Sequence, residues 1–389
     1  MRVQDSAVPT EVRSSSAIRW VRENLFSSIA NSLLTLTTAV ALGALLRGLL
    51  RWAFTEANWS VVPANFRLLM VGPYPIDEMW RIWVGVTALS LVLGFQWGRA
   101  RRANPVLFVV LAITAVALLV LQGNPLVRTF GAAAVGAIFV GYLIAWFTRP
   151  SKRLLAVFWT VVFFGFIYLL GANLGGGGVS SNLWGGLLLT LLISIVAIVA
   201  SFPIGVVLAV ARTSKLPIIS MLAASYIELV RGVPLLVVLF LAQLFVPLFL
   251  PDFPIPKVTR AIIGIALFQA AYVAENVRGG LQSVAIGQSE AARALGLTGF
   301  QTLRLIVLPQ ALKAVIPANT GQFIQLFKET SLVSIVGLTD LLGMGNVIVN
   351  NPDWLGLYKE VYIAIALIYA VFSYAMSSAS YALEKRLAR

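Results

Sequence analysis

Glu228 and Arg231 stand three residues apart, and so do Glu275 and Arg278. On a helix that spacing lets both side chains of a pair meet on one face. Each pair falls beside a long apolar run, near the boundary expected to face the cytoplasm. Two readings stay open there: a cytoplasmic gate, or charges that snorkel to the surface. A third couple, Lys328 and Glu329, lies within the apolar stretch 311–337. Adjacent helical residues point about 100° apart and neutralise each other poorly. At bilayer depth a charge costs at least about 2.5–3.5 kcal/mol unless it faces a wet cavity or a partner. Lys328 could meet a carboxylate and Glu329 an ammonium, with Thr330 and Ser331 adding hydrogen bonds; the alternative is pairing with a neighbouring subunit. Gln243 and Gln322 are polar groups in apolar runs, either substrate contacts or glue between helices. This is binding chemistry. Asp340 follows the run that ends near Gly337 and is expected in an external loop. The chain contains neither His nor Cys, which removes imidazole catalysis, disulfides and zinc–thiolate sites, so no catalytic residue and no metal is expected.

The elements that position these groups are read from composition. Of 389 residues, 59% are hydrophobic and 11% charged, against about 45–50% and about 25% in soluble domains. The mean hydropathy of +0.90 makes the bilayer the natural solvent. A spanning helix needs roughly 20 apolar residues. Ten candidates follow, at about 26–47, 80–97, 105–122, 129–147, 153–171, 183–211, 231–250, 258–279, 311–337 and 360–383. The expected class is an all-α polytopic membrane protein. Residues 1–25 are polar, without the short apolar stretch of a cleaved signal.

A net charge of +14 invites a nucleic-acid reading, but no aromatic-studded basic patch lies outside the apolar runs. Basic residues of membrane proteins collect in cytoplasmic loops instead. With the N-terminus inside, the inner segments of the ten-span reading hold 19 of the 29 basic residues and the outer ones eight. Both termini are therefore expected in the cytoplasm. The glycine-rich 172–182 reads as an external linker between a five-span extension, 26–171, and a second half, 183–386. From Lys215 to Leu250 a single helix would run about 54 Å against a core of about 30 Å. Residues 217–230 are accordingly expected at the cytoplasmic interface, turning into the membrane at Arg231-Gly232-Val233-Pro234.

One stretch breaks the apolar pattern. "EAARALGLTGFQTLRLIVLP", 290–309, is polar, interrupted by glycines and closed by a proline. Gln288–Leu297 holds helix formers, with Ala291 and Ala292 on a small-residue face and Gly296 as a stop. Such a helix suits a partner's cleft or is an ordinary solvated loop helix.

Glu290-Ala291-Ala292, Gly296, Ile306 and Leu308-Pro309, at their spacing, match the EAA signature of ABC importer permeases. "YIELVRGVPLLV" (226–237), "AYVAENVRGGLQSV" (271–284), "LPQALKAVIPA" (308–318) and "FKETSLVSIVGLTDLL" (327–342) are similar to runs of the polar amino-acid uptake branch. "WVRENLFSSIANSLLTLTT" and the outer loop near "RLLMVGPYP" resemble the M-type permease of general L-amino-acid uptake systems. The resemblance covers roughly 183–386 and implies a type I ABC importer permease core in the last five spans. It implies a coupling helix near 287–300, with Gly287, Glu290, Ala291, Ala292, Arg293, Gly296 and Leu297 docked on a separate ATPase. It also implies ATP and Mg in that partner, a second homologous permease, an external or periplasmic amino-acid-binding protein, and the bacterial inner membrane. The chain lacks a G-x-x-x-x-G-K-[ST] phosphate loop and is not expected to be an enzyme. The rival functions are an ion-gradient-driven secondary transporter of small polar solutes, which wants matching inverted repeats, and a non-transporting scaffold.

Overall fold

The computed structural model describes residues 17–100, 125–173, 178–253 and 255–387, and their regular elements are helical. The chain divides into two compact units, Met1–Asn58 and Trp59–Arg389. In the first, α1 is Ala17–Asn24 and α2 is Ile29–Arg51, continued by a π-helical turn to Glu56. The Ser28 hydroxyl caps α2 by accepting the Asn31 N–H. None of α2's residues is buried. A helix apolar all round needs lipid or another protein as its surroundings.

The second unit opens with two short helices, α3 (Val61–Ala64) and α4 (Phe66–Val71), followed by α5 (Met79–Ala100), α6 (Pro125–Thr148) and α7 (Lys152–Gly171). Lipid tails are as apolar as leucine, so helices here associate by close packing, which small residues permit. A Cβ on Gly98 of α5 would stand 2.3 Å from the Tyr142 carbonyl oxygen of α6. At the other end of α5, the fully buried Arg81 closes the C-terminus of α7. It pairs with Glu78 at 2.7 Å and donates to the carbonyls of Leu169 and Ala172. A cation there meets the negative end of the helix dipole.

The rest of the unit is α8 (Gly186–Arg212), α9 (Pro217–Arg231), α10 (Leu235–Phe249), α11 (Lys257–Ser283), α12 (Ile286–Ala294), α13 (Gly299–Thr302), α14 (Leu308–Ala314), α15 (Ile316–Glu329), α16 (Leu341–Val349) and α17 (Tyr358–Leu387). The centre is α11, whose Ala261, Gly264, Ala270, Ala271 and Ala274 admit α8 and its other neighbours closely. A Cβ on Gly205 of α8 would fall 2.6 Å from the Val273 side chain. Gly186 starts α8 at φ +60, where a Cβ would meet the Leu69 carbonyl oxygen at 2.4 Å. The segment carrying α4 is thus seated against the core.

By length and composition, seven described helices are long and apolar enough to cross a membrane, or up to eight if a bent pair counts as one span. Ten is therefore not reached among the described residues; 105–122 lies outside them, as do 174–177 of the glycine linker. The bent pair is α9 and α10, which meet at 104°. Pro234 lacks the N–H that would continue the helix, and the chain turns at 232–234 as its residues imply.

Two expectations are corrected. The stretch 311–337 is not one span: α14 ends at Ala314, Val315 leaves the helical conformation, α15 ends at Glu329 and a 3₁₀ segment covers Thr330–Ser334. Pro309 and Pro317 each sit at a helix start, where the missing N–H is tolerated. Lys328 and Glu329 therefore close a short helix instead of standing far inside a long one. Asp340, expected in an external loop, is fully buried. It caps α16 by accepting the Gly343 N–H at 2.9 Å and receives the Tyr369 hydroxyl of α17 at 3.3 Å. Burial pushes its carboxyl up to about 7, while the N–H groups of Gly343 and Leu342 pull it down.

Candidate functional site

The polar interruption forms a helix that stands clear of the core. In α12 only Ala292 is buried; Gly287, Glu290, Ala291 and Arg293 are exposed. The helix ends in a closed C-terminal turn. Gly296 sits at φ +81 and donates its N–H to Arg293 O at 2.9 Å, and Leu297 N–H reaches Ala292 O at 3.1 Å. A residue with a Cβ is penalised in that left-handed conformation, so glycine is the residue that lets the chain turn here. Thr298 and Gln301 then form a reciprocal cap that starts α13. Ile286, Leu295 and Phe300 project 77%, 84% and 69% exposed around this polar framework. A rigid helix–turn–helix edged with unburied apolar side chains has the chemistry of a plug for a partner's groove.

Toward the end of α11 the two sequence pairs turn out to be parts of one cluster. Glu275 accepts from Arg278 on its own helix and from Arg212 of α8 at 3.2 Å, and forms an ion pair with Arg231 of α9 at 3.5 Å. Glu228 pairs with Arg212 at 3.0 Å. Glu228 and Arg231 share the i,i+3 spacing, yet each finds its ion partner on another helix. Arg231 also lies over the Tyr272 ring at 5.6 Å, a cation–π contact that holds α9 to α11. The residue that sequence spacing missed is Arg212. Its partners lie 16 and 63 residues away, where helical periodicity gives no signal.

The polar groups proposed for the path fall into separate places. Gln243, in the π-helical stretch of α10, spends its Nε2 on the Lys257 carbonyl at 2.7 Å, at the start of α11. Gln322 of α15 meets Gln269 of α11 at 3.5 Å, twelve residues or about 18 Å further along. Nearby, Asn276 donates to Asn319 at 2.9 Å. Glu329 Oε1 accepts from Gln325 at 2.7 Å, while its buried Oε2 has no partner, nor have Gln269 Nε2 and Asn319 Nδ2. Unpaired buried polar atoms are expensive and ask for an explanation. Thr330 is buried with its hydroxyl given to Phe327 O, Ser331 is half-buried, and Lys328 points out exposed. The structure thus gathers Gln322 and Glu329 on α15, with Gln269, Asn276 and Asn319 beside Gln322. Gln243 and Lys328 stay apart from them. Gln269 and Asn276, seven residues apart in an apolar run, carried a readable helical-face signal.

Residues 201–389 match the family described as the binding-protein-dependent transport system inner membrane component. The inner membrane amino-acid ABC transporter permease protein YhdY of Escherichia coli (strain K12) is 38% identical, across 97% of this chain and 95% of its own length. The glutamate/glutamine/aspartate/asparagine transport system permease protein BztC of Rhodobacter capsulatus is 36% identical, across 98% and 96%. A solved structure described as an amino acid ABC transporter with histidines is 33% identical at a TM-score of 0.47, covering 61% of this chain and 99% of its own.

Proposed function

The chain belongs to the family of inner-membrane components of binding-protein-dependent transport systems, and on that premise we propose that it is the permease subunit of an ATP-driven amino-acid importer. The observation that carries this reading is α12, an exposed helix bearing Glu290-Ala291-Ala292 and stopped by a left-handed Gly296. It would seat in a separate ATPase, which binds ATP and Mg and supplies the hydrolysis. Amino acids are the cargo class because both full-length relatives are named for them. An external amino-acid-binding protein and a second, homologous permease complete the assembly. The 26–171 segment acts as an extension of the 183–386 core. Nothing in the matches favours an ion-gradient-driven carrier.

Within the path, Glu329 would receive the substrate ammonium through Oε2, with Gln322 beside it. The test is uptake of labelled amino acids by cells expressing the full assembly, with Glu329→Gln as the variant. Losing one charge-assisted hydrogen bond of about 1.5–3 kcal/mol predicts uptake at low substrate reduced roughly 10- to 100-fold. The variant complex should still copurify with an ATPase and hydrolyse ATP. Unchanged transport and competition would remove Glu329 from the path; absence of an ATPase from the purified wild-type complex would remove the importer reading.

The bias of basic residues supports cytoplasmic termini. A reporter active only outside the membrane should work when fused near Gly176 and be silent after Arg153 or Arg389. The opposite pattern would also put α12 on the wrong side for an ATPase.

A further inference from the structure

Between Glu78 and Glu228 the sequence contains no aspartate or glutamate. Helices α5, α6 and α7 therefore carry no carboxylate, yet one end of them holds Arg99, Arg149, Lys152 and Arg153. Among the described residues none of these four makes an ion pair, in contrast to the shared Glu275 of the α8–α9–α11 cluster. Their counter-charge must come from outside these helices.

The same end contains a space for one. A cavity of about 330 Å³ is lined, among the described residues, by Gly98, Arg99, Ala145 and Arg149. Gly98 lets α5 approach the α6 backbone closely. Arg99 donates one Nη1 hydrogen to the Pro150 carbonyl. That fixes the guanidinium beside the start of α7 and leaves it further donors. Arg149 is the non-glycine residue at positive φ among those described, at 45°. It follows the last residue of α6 and donates its N–H to Ala145 O at 3.1 Å, so its left-handed turn ends that helix and sets the side chain at the pocket's edge. In the last turns of α5 and α6, Trp97 and Tyr142 have ring centroids 4.7 Å apart, and Tyr142 and Trp146 5.7 Å apart. Tryptophan and tyrosine mark the depth of lipid headgroups. Basic pockets between helices at that depth suit phosphate, which guanidinium matches in shape and charge.

We propose that Arg99 and Arg149, in the open pocket between the ends of α5 and α6, bind a phosphate group, supplied by an anionic phospholipid headgroup or by free phosphate. Lys152 and Arg153, in the first turn of α7, add to the positive field. This site is separate from α12 and from the polar groups of α11 and α15, so it stands or falls independently of the transport reading.

The test is native mass spectrometry of the purified full-length chain in its membrane complex, titrated with dioleoyl-phosphatidylglycerol or dioleoyl-phosphatidylcholine. The wild type should retain phosphatidylglycerol in preference. Each surface cation contributes about five-fold, so Arg149→Gly should weaken that binding about five-fold and Arg99→Gln with Arg149→Gly about 25-fold. Glycine accepts φ 45° without strain, so that variant keeps the local fold. Arg149→Lys, which keeps the charge, should retain most of the binding. Phosphatidylglycerol that survives an excess of inorganic phosphate identifies the lipid as the source; displacement identifies free phosphate. Equal retention of both lipids by the wild type overturns the site. So does a loss in Arg149→Lys as large as in Arg149→Gly, because the residue would then be structural.

Discussion

Gly296→Val is expected to cut amino-acid uptake at least about ten-fold while the chain still accumulates in the membrane. Gly296 sits at φ +81, and beyond its own chain neighbours no atom lies within 4 Å of where its Cβ would be. The substitution therefore causes no packing clash, and its effect is confined to the backbone. A β-branched residue in the left-handed region costs about 1–2 kcal/mol or more, and every 1.4 kcal/mol is a factor of ten in an equilibrium. Only Ala292 of α12 is buried, so little tertiary packing opposes a change in how the helix ends. The Gly296 and Leu297 N–H bonds to Arg293 and Ala292 would be lost first, altering the turn that presents Leu295 and Phe300. Gly296→Asn is the control, since asparagine tolerates this conformation; it should keep most of the uptake. Gly296→Asp adds a charge at the same spot and should fall between the two. The measurements are labelled uptake, immunoblotting of membranes and the amount of ATPase that copurifies. Normal uptake with Val would show that α12 does not couple transport to hydrolysis.

How much of this was readable beforehand depends on the range of the interaction concerned. Gly296 as a stop was readable because a helix terminus is written in a few consecutive residues. The turn between α9 and α10 was readable for the same reason, since Pro234 follows Arg231-Gly232 and the run is too long for one span. The break at Val315 was not foreseen. Hydropathy sums side chains and ignores that Pro309 and Pro317 each withhold a backbone donor. The burial of Asp340 is not legible locally because it depends on Gly186, 154 positions earlier, and Tyr369, 29 later. The site divides the same way. Spacing placed Glu275 with Arg278, but only the assembled helices join Arg212 and Arg231 to the same carboxylate.

That shared carboxylate leads to the second large effect: Glu275→Gln should reduce uptake at least about ten-fold and raise ATP hydrolysis in the absence of substrate. Three guanidiniums from α8, α9 and α11 converge on Glu275. Each is within bonding reach of one group, so they lie roughly 6 Å from one another. At an effective dielectric of about 20, like charges at that distance repel by about 3 kcal/mol per pair. Water reaches this cluster, and Glu275 is 21% exposed, so the realised cost is smaller. It still exceeds the 0–1 kcal/mol typical of an exposed surface pair. Glutamine preserves shape and some hydrogen bonding but leaves Arg231 and Arg278 without their carboxylate and Arg212 with Glu228 alone, so the ends of α8 and α9 should move away from α11. If Glu228, Arg231, Glu275 and Arg278, with Arg212, form a cytoplasmic gate, that separation opens the path without substrate and uncouples hydrolysis from uptake. Arg212→Gln should partly restore Glu275→Gln, because it removes one of the repelling charges. A merely solvated cluster would behave otherwise: each single variant would lie within about two-fold of wild type, and the double variant would be the product of the singles.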